Sequence, residues 1–304
     1  VYTDFLFEGD LANMPWSITS GMRYVETKST STGNQITLLD LVAAPNEEGV
    51  VRAIESDDFL PIAVGNKYDN WLPSLNAKIE LSDDVLMRFA WSKSITRPEL
   101  DEMSPLSSFN DGHIDNLTGS GSNPGLQPFA SKNFDLSLEW YYDEGSYAAI
   151  TAFRKDVDGY LETVESTEIV TVPSGSYNYK ISRPSNSNEA KIDGYELAVQ
   201  HMFTSLPAPF DGLGFIANMT FVDSESSADD PTNPLPLIGL GDAQNLILFY
   251  ENDAVQLRVA WNNRDRFMQS KPRSWRGGHY VEDYAQVDIS GSYAINEHFT
   301  VFFE

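Results

Sequence analysis

The sequence of 304 residues contains no cysteine and few basic side chains. Without cysteine there are no disulfides, thiolate metal sites or cysteine nucleophiles, although this absence does not fix the compartment. Only 20 Lys and Arg side chains accompany 45 Asp and Glu side chains, which gives a formal net charge of -25. A nucleic-acid-binding protein needs a basic face to neutralise phosphates, so the composition excludes that class.

Long apolar runs are missing as well. A transmembrane helix needs roughly 18 or more uninterrupted apolar residues. The best candidate, 231–250, is broken by Pro234, Pro236 and Asp242, which excludes a helical membrane protein. The sequence starts at Val1 without a signal peptide, as expected for a mature or excised fragment.

The sequence does contain a strong period of two. Six segments alternate apolar and polar residues, which is typical of strands with one apolar and one wet face. The apolar registers of these segments begin at Leu75, Val85, Phe134, Tyr195, Val255 and Ala285. Together with less regular runs, they predict about ten or eleven strands of about nine to eleven residues, and no helix longer than a turn or two.

Three features favour a membrane barrel over a soluble sandwich of two sheets. Long connections, at 29–65, 99–132, 158–190, 224–243 and 265–282, alternate with short turns. The apolar registers carry no charge in their central parts, whereas the opposite registers hold many charged residues. Trp and Tyr cluster toward strand ends, as aromatic residues do at membrane interfaces. The sequence therefore predicts an all-β, antiparallel, up-and-down transmembrane β-barrel.

A series of short motifs covers nearly the whole chain in order. They are GMRYVET at 21–27, LPSLN at 72–76, SITRP at 94–98, NPGLQP at 123–128, SKNFDLSLE at 131–139, FRKD at 153–156, GYELA at 194–198, the segment 214–223, NRD at 263–265 and QVDIS at 286–290. In order and spacing, this series resembles the barrel strands of TonB-dependent outer-membrane receptors.

The resemblance implies a plugged barrel of about 22 strands in the bacterial outer membrane. Residues 1–304 would then be a partial β-barrel domain, about half of the whole. No segment resembles the plug domain or the TonB box, and the usual last strand with its aromatic terminus is missing. The chain is therefore expected to be a fragment.

The resemblance also implies a function and a set of partners. The function is TonB-energised uptake of a scarce nutrient, either a carbohydrate or an iron chelate. The partners are outer-membrane lipid and lipopolysaccharide, TonB through the missing plug, and a small-molecule or oligosaccharide ligand, with no nucleic acid.

Ligand contacts are predicted in the connection 265–282, which is both basic and aromatic. The candidate residues are Arg273, Trp275, Arg276, His279 and Tyr280. They offer charge-assisted hydrogen bonds and ring stacking to an anionic or sugar-like ligand. The alternative is a loop that contacts lipopolysaccharide phosphates or only keeps the connection soluble.

Four charged residues of the inward registers are candidates for the lining of the ligand path. They are Arg88, Glu139, Glu196 and Arg258. The alternative for these residues is a set of salt bridges to the plug or to neighbouring strands.

Enzymatic chemistry is not expected, and neither a cofactor nor a metal site is predicted. The four histidines are scattered without metal-ligand spacing, and the glycine-rich segment 119–125 lacks the spacing of a dinucleotide loop, so it is predicted as a turn or loop. A β-rich hydrolase would need a catalytic constellation that is absent. The remaining alternative is a soluble, secreted β-sandwich that binds glycans, in which the apolar registers would pack against a second sheet.

Overall fold

The computed structural model describes residues 1–226, 235–271 and 277–304, with the backbone alone at 187 and 188. In these ranges the regular structure is almost entirely β-strand. The two 3₁₀ helices, Ile114–Asn116 and Phe210–Gly212, have three residues each, in agreement with the prediction. No helix in the described ranges has the length and apolarity needed to cross a bilayer.

The strands are β1 (Tyr2–Leu11), β2 (Met14–Ala43), β3 (Val50–Glu80), β4 (Val85–Thr96), β5 (Ser107–Phe109), β6 (Gly112–His113), β7 (Leu117–Gly121), β8 (Phe129–Asp143), β9 (Ser146–Val172), β10 (Gly175–Met202), β11 (Leu213–Ser226), β12 (Ala243–Glu251), β13 (Val255–Arg264), β14 (Phe267–Ser270), β15 (His279–Val281), β16 (Tyr284–Asn296) and β17 (Phe299–Phe303).

Twelve of these strands form one antiparallel meander. Their order is β1-β2-β3-β4-β8-β9-β10-β11-β12-β13-β16-β17. Strands β5, β6 and β7 attach to the margins of this sheet, and β14 pairs with β15 in a separate small sheet. The edge strands β1 and β17 do not pair with each other in the described residues, so the barrel is partial and not closed. The predicted all-β antiparallel, up-and-down fold is confirmed.

The meander has slightly more strands than predicted, because the sequence pattern missed β1. Phe5, Leu6 and Phe7 are three consecutive apolar residues, and such a run hides the alternation. In the structure Phe7 lies opposite Ile18 and Phe5 lies opposite Ser20 of β2. Phe5 and Phe7 therefore continue the apolar register of the neighbouring strand.

The apolar register forms a continuous row across the sheet. Successive cross-strand partners are Phe7, Ile18, Ala77, Phe89, Leu136, Ala152, Tyr195 and Phe221. Leu136 is 49% exposed and Tyr195 is 59% exposed. In the described part of the chain no second sheet packs on this row, so the β-sandwich alternative is wrong. An exposed apolar band on a single sheet is the surface that lipid covers in a membrane barrel.

Two of the predicted long connections are continuations of strands. The segment 29–65 lies in the hairpin of β2 and β3, which have 30 and 31 residues, and 158–190 lies in the hairpin of β9 and β10, with 27 and 28 residues. The prediction of nine to eleven residues is wrong for these four strands. Alternation of apolar and polar residues reveals a strand only where one face of the strand is apolar. Segments such as STSTGNQ at 29–35 are polar on both faces, so the pattern does not mark them as strand.

The buried apolar residues of the described ranges lie in these extended hairpins and in the connections that pack against them. One cluster, named the hairpin core, consists of Leu41, Val51, Leu117, Val172, Tyr179 and Ile181. A second cluster consists of Val157, Ala190 and Leu237. The twelve-stranded meander, which we call the meander wall, has no interior core of its own because its apolar side chains face outward.

Candidate functional site

The tips of the two long hairpins meet at the end of the sheet that carries the long connections. The hairpin core joins Leu41 and Val51 of the β2–β3 hairpin to Val172 and Tyr179 of the β9–β10 hairpin. At its edge, the Asp40 carboxylate accepts a hydrogen bond from the Ser174 amide at 3.0 Å. Two elements far apart in sequence thus form one packed unit.

The contact at Asp40 depends on pH in a defined direction. Hydrogen bonds from Ser174 and from the Leu41 amide hold the pKa of the Asp40 carboxyl below its ordinary value of 3.8. Because the pKa is lower in the folded state, the ionised carboxylate stabilises the docked tip. This stabilisation is complete at pH values above the ordinary pKa and is lost as the pH falls through the folded-state pKa.

Replacement of this carboxylate should loosen the tip of the β9–β10 hairpin. In Asp40→Ala we expect hydrogen exchange at the Ser174 amide to be faster by roughly an order of magnitude, because that amide loses its acceptor. Exchange in β13, which is far from the tip in the strand order, serves as the internal control. Unchanged protection at Ser174 would contradict a role of Asp40 in docking.

The connection 99–132 is fastened to both hairpins. Gln35 accepts a hydrogen bond from the Ser107 amide at 2.8 Å and donates one to the Ser107 carbonyl at 2.8 Å. Arg183 of β10 donates to Ser107 Oγ at 3.0 Å and to the Ser122 carbonyl at 3.1 Å, while its Nε bonds Glu168 at 2.9 Å. Because these bonds involve backbone groups and a paired arginine, the connection is held in one position.

The glycine-rich segment predicted as a turn or loop is partly strand. Residues Leu117–Gly121 form β7, which pairs in parallel with β10 and antiparallel with β5. A Cβ at Gly119 would lie 2.5 Å from the Ser108 carbonyl oxygen and 2.6 Å from Ile181 Cδ1. Glycine therefore permits the close approach of β7 to its neighbours.

A cleft opens between the β2–β3 hairpin and the fastened connection; we name it the Glu55 cleft. Its volume is about 490 Å³. It is lined by Asn34, Gln35, Ile36, Glu55, Phe59, Leu106, Ser107, Ser108, Phe109, Ser120, Gly121 and Ser122. Sequence reasoning missed this cleft, because its walls come from segments that were predicted as loops. The clustered serines at 107–108 and 120–122 were the only available signal.

The second buried cluster ties β9 to the connections that follow β11 and β14. Tyr160 packs edge-on against Phe129 with ring centroids 5.8 Å apart, and burial raises the pKa of its hydroxyl, with the Glu162 carboxylate adding to the effect. Glu162 pairs with Lys271 and accepts a hydrogen bond from Ser226 Oγ. This arrangement anchors the start of the connection that holds the predicted ligand residues.

The structure places only part of the predicted ligand site. Arg273, Trp275 and Arg276 lie outside the described residues. His279 and Tyr280 lie in β15, and the guanidinium of Arg266 lies 4.2 Å from the centre of the Tyr280 ring. Arg266 also pairs with Glu282 at 3.7 Å. His279 and Tyr280 are thus the described portion of this predicted site, and Arg266 stacks on the Tyr280 ring beside it.

The four predicted inward residues share the face opposite the apolar row, and among the described contacts only Arg88 and Glu139 are brought together. Arg88 of β4 forms an ion pair with Glu139 of β8 at 2.9 Å, and Tyr141 donates a hydrogen bond to the same carboxylate. Glu196 lies on β10. Arg258 lies on β13 beside Ile216 and Phe249 in a second cavity of about 600 Å³. The first two residues thus form the cross-strand salt bridge that the sequence left as an alternative.

Metal ligation finds no support in the described ranges. No group of three or more His, Asp or Glu side chains is close enough there to hold a metal ion. His201 instead contacts aromatic rings, with Tyr142 stacked at 5.8 Å and Phe203 edge-on at 4.6 Å.

Comparison with known proteins places the chain in a family. The family model described as TonB dependent receptor-like, beta-barrel matches residues 6–304. The ferric enterobactin receptor of Pseudomonas aeruginosa is 23% identical over 251 residues, which cover 77% of this chain and 32% of that protein.

Solved structures share the fold at low identity. A mutant of the Pseudomonas aeruginosa ferric enterobactin receptor in complex with enterobactin gives a TM-score of 0.65 at 19% identity and covers 99% of this chain and 47% of that one. The siderophore receptor PirA from Acinetobacter baumannii gives a TM-score of 0.57 at 15% identity, with 97% and 48% covered. The chain thus spans about half the length of these solved receptors and about a third of the curated relative.

The matched family consists of transporters and not of enzymes, in agreement with the prediction from sequence. The open antiparallel meander and its exposed apolar band agree with the family model that matches residues 6–304. The chain therefore belongs to the TonB-dependent receptor β-barrel family of bacterial outer-membrane proteins.

Proposed function

We propose that this chain is part of the barrel of an outer-membrane receptor that takes up an iron chelate with energy relayed by TonB. The observation that carries the proposal is the packed unit of two long hairpins and the connection 99–132, which offers a cleft at the end of a lipid-facing sheet. Long connections mark the extracellular end of such barrels. An iron chelate is favoured over a carbohydrate because the relatives are named as ferric enterobactin and siderophore receptors.

Residues 1–304 are proposed to act as a partial barrel domain within a longer receptor. Its plug would meet the inward face, where Glu196 and Arg258 would contact plug or ligand and the Arg88–Glu139 pair would stiffen the wall. TonB would act through that plug. The outer face would meet lipid and lipopolysaccharide.

Uptake by the whole receptor tests this proposal. The gene is expressed in a bacterium that lacks its own ferric chelate receptors, and uptake of radioactive iron is measured with a panel of ferric siderophores. Uptake of at least one chelate is expected, and it should cease when TonB is deleted or the proton gradient is collapsed. Iron uptake that is independent of TonB would overturn the proposal.

The connection 265–282 is proposed as a second ligand contact. In the whole receptor we expect Trp275→Ala and Arg276→Ala each to weaken chelate affinity by about tenfold, as the loss of a stacked ring or a charged hydrogen bond does. Glu297→Ala, in the short turn between β16 and β17 at the opposite end of the sheet, is the control. Unchanged affinity in both loop variants would remove these residues from the site.

A further inference from the structure

The Glu55 cleft contains three polar side chains that have no partner among the described residues. Glu55, Asn34 and Ser122 form no side-chain hydrogen bond or ion pair there. The remaining polar groups are already satisfied: Gln35 bonds Ser107 in both directions, and the hydroxyls of Ser108 and Ser120 lie 2.9 Å apart. The cleft therefore has one available carboxylate, one available amide and one available hydroxyl.

No basic side chain lines the Glu55 cleft. Arg183, which bonds Ser107 and Ser122, is itself paired with Glu168 at 2.9 Å. A ligand group in the cleft would thus meet a negative charge and no free positive charge. An anionic group would be repelled there, and a cationic group would be attracted.

Most cations elsewhere on the long hairpins pair with carboxylates, whereas Lys180 donates a hydrogen bond to the Asn116 amide oxygen at 3.0 Å. Ion pairs join Lys28 and Lys67 to Glu26, Arg52 to Glu47, Lys132 to Asp158, Arg183 to Glu168 and Lys191 to Glu225. Several carboxylates around the cleft, including those of Asp57 and Asp58, have no such partner in the described residues. The surroundings of the cleft therefore reinforce its preference for positive charge.

The walls of the cleft suit a flexible apolar chain. Ile36, Phe59 and Leu106 line it, and Phe59 is 63% exposed. Methylene groups would cover this apolar surface, and an ammonium group next to the Phe59 ring would gain a cation–π contact. The volume of about 490 Å³ lies in the range of small-molecule sites, roughly 300–1,000 Å³.

We propose that the Glu55 cleft binds an ammonium-bearing arm of a ferric chelate, with the Glu55 carboxylate as counter-ion and the Ile36, Phe59 and Leu106 side chains against its methylene chain. This rests on the proposed function. It assigns to the receptor a chelate that carries a primary amine on a flexible arm.

The test compares two probes that differ only in that charge. They are ferric desferrioxamine B, a trihydroxamate chelate with one free amine, and its N-acetylated form. With the whole receptor in detergent, we expect the amine form to bind about three- to tenfold more tightly than the acetylated form. A partly exposed contact between two charged groups contributes a difference in affinity of this size. Equal binding of the two probes, or binding of neither, overturns the proposal.

Variants then assign the difference to one residue. Glu55→Gln should remove the preference for the amine form while leaving the affinity for the acetylated form unchanged, which also shows that the variant is folded. Asp57→Asn removes the same charge from the same strand at a position that does not line the cleft, so it should retain the preference. An equal loss in both variants would mean that the general field, and not Glu55, selects the amine.

This outcome can be separated from failure of the proposed function. A receptor that takes up other ferric chelates in a TonB-dependent way but ignores the charge of these probes retains its function and lacks the proposed subsite. A receptor that takes up no iron chelate fails on function as well.

Discussion

Leu136→Arg in the whole receptor is expected to cost about 2–4 kcal/mol of stability in the bilayer and to lower the amount of assembled barrel. Leu136 lies in the apolar row between Phe89 and Ala152, and it is exposed to the surroundings of the sheet. A guanidinium at this depth must give up its hydration or distort the lipid around it. Assembly is measured by the heat-dependent gel mobility of the folded barrel, and stability by urea unfolding in liposomes.

The neighbouring position supplies a matched control. Ser137 is adjacent in β8 and faces the opposite side of the sheet, where it donates a hydrogen bond to Glu139. Ser137→Arg therefore introduces the same side chain at the same depth on the polar face, and we expect a cost well below that of Leu136→Arg. If the two variants unfold alike, the assignment of the lipid-facing side is wrong.

Leu117→Ala should destabilise the unit of long hairpins by about 2–5 kcal/mol without unfolding the meander. Leu117 is 0% exposed and packs in the hairpin core with Tyr179 and Ile181. Truncation leaves a cavity there, and the burial that holds β7 against β10 is lost. The effect should be local, because the hairpin core lies outside the meander wall.

Hydrogen exchange and limited proteolysis measure this local effect. Protection in β7 and in the tips of both long hairpins should fall, whereas β12 and β13 should be unchanged. Leu100→Ala is the control in the same connection, since Leu100 is 85% exposed and its loss should cost less than about 0.5 kcal/mol. Simultaneous loss of protection in β13 would show that the hairpins and the meander unfold together.

Much of the candidate site was beyond prediction from local pattern. The Glu55 cleft is formed by residues 34–59 together with 106–122, and contacts such as Gln35 to Ser107 join positions 72 residues apart. The sequence did favour a cross-strand partner for Arg88 as one alternative, and Glu139 provides it. Of the predicted loop residues, His279 and Tyr280 lie in β15, and their role in ligand binding stays a prediction.

The sequence by itself determined the class of fold and the orientation of its two faces. Alternation at residues such as Phe89, Leu136 and Tyr195 specifies which side chains share a face, because the side-chain period of a strand is two. Absence of charge from that register predicts an apolar surrounding, and the exposed row across the sheet agrees with it.

Only the tertiary structure decided the extent of the long hairpins and the position of the cleft. Beyond the apolar band both faces of β2, β3, β9 and β10 are polar or contact other segments, so local alternation no longer distinguishes strand from loop. These segments are held by backbone pairing within each hairpin and by contacts such as Asp40 to Ser174. Such contacts depend on how distant segments meet in space, and that information is not carried by any short stretch of sequence.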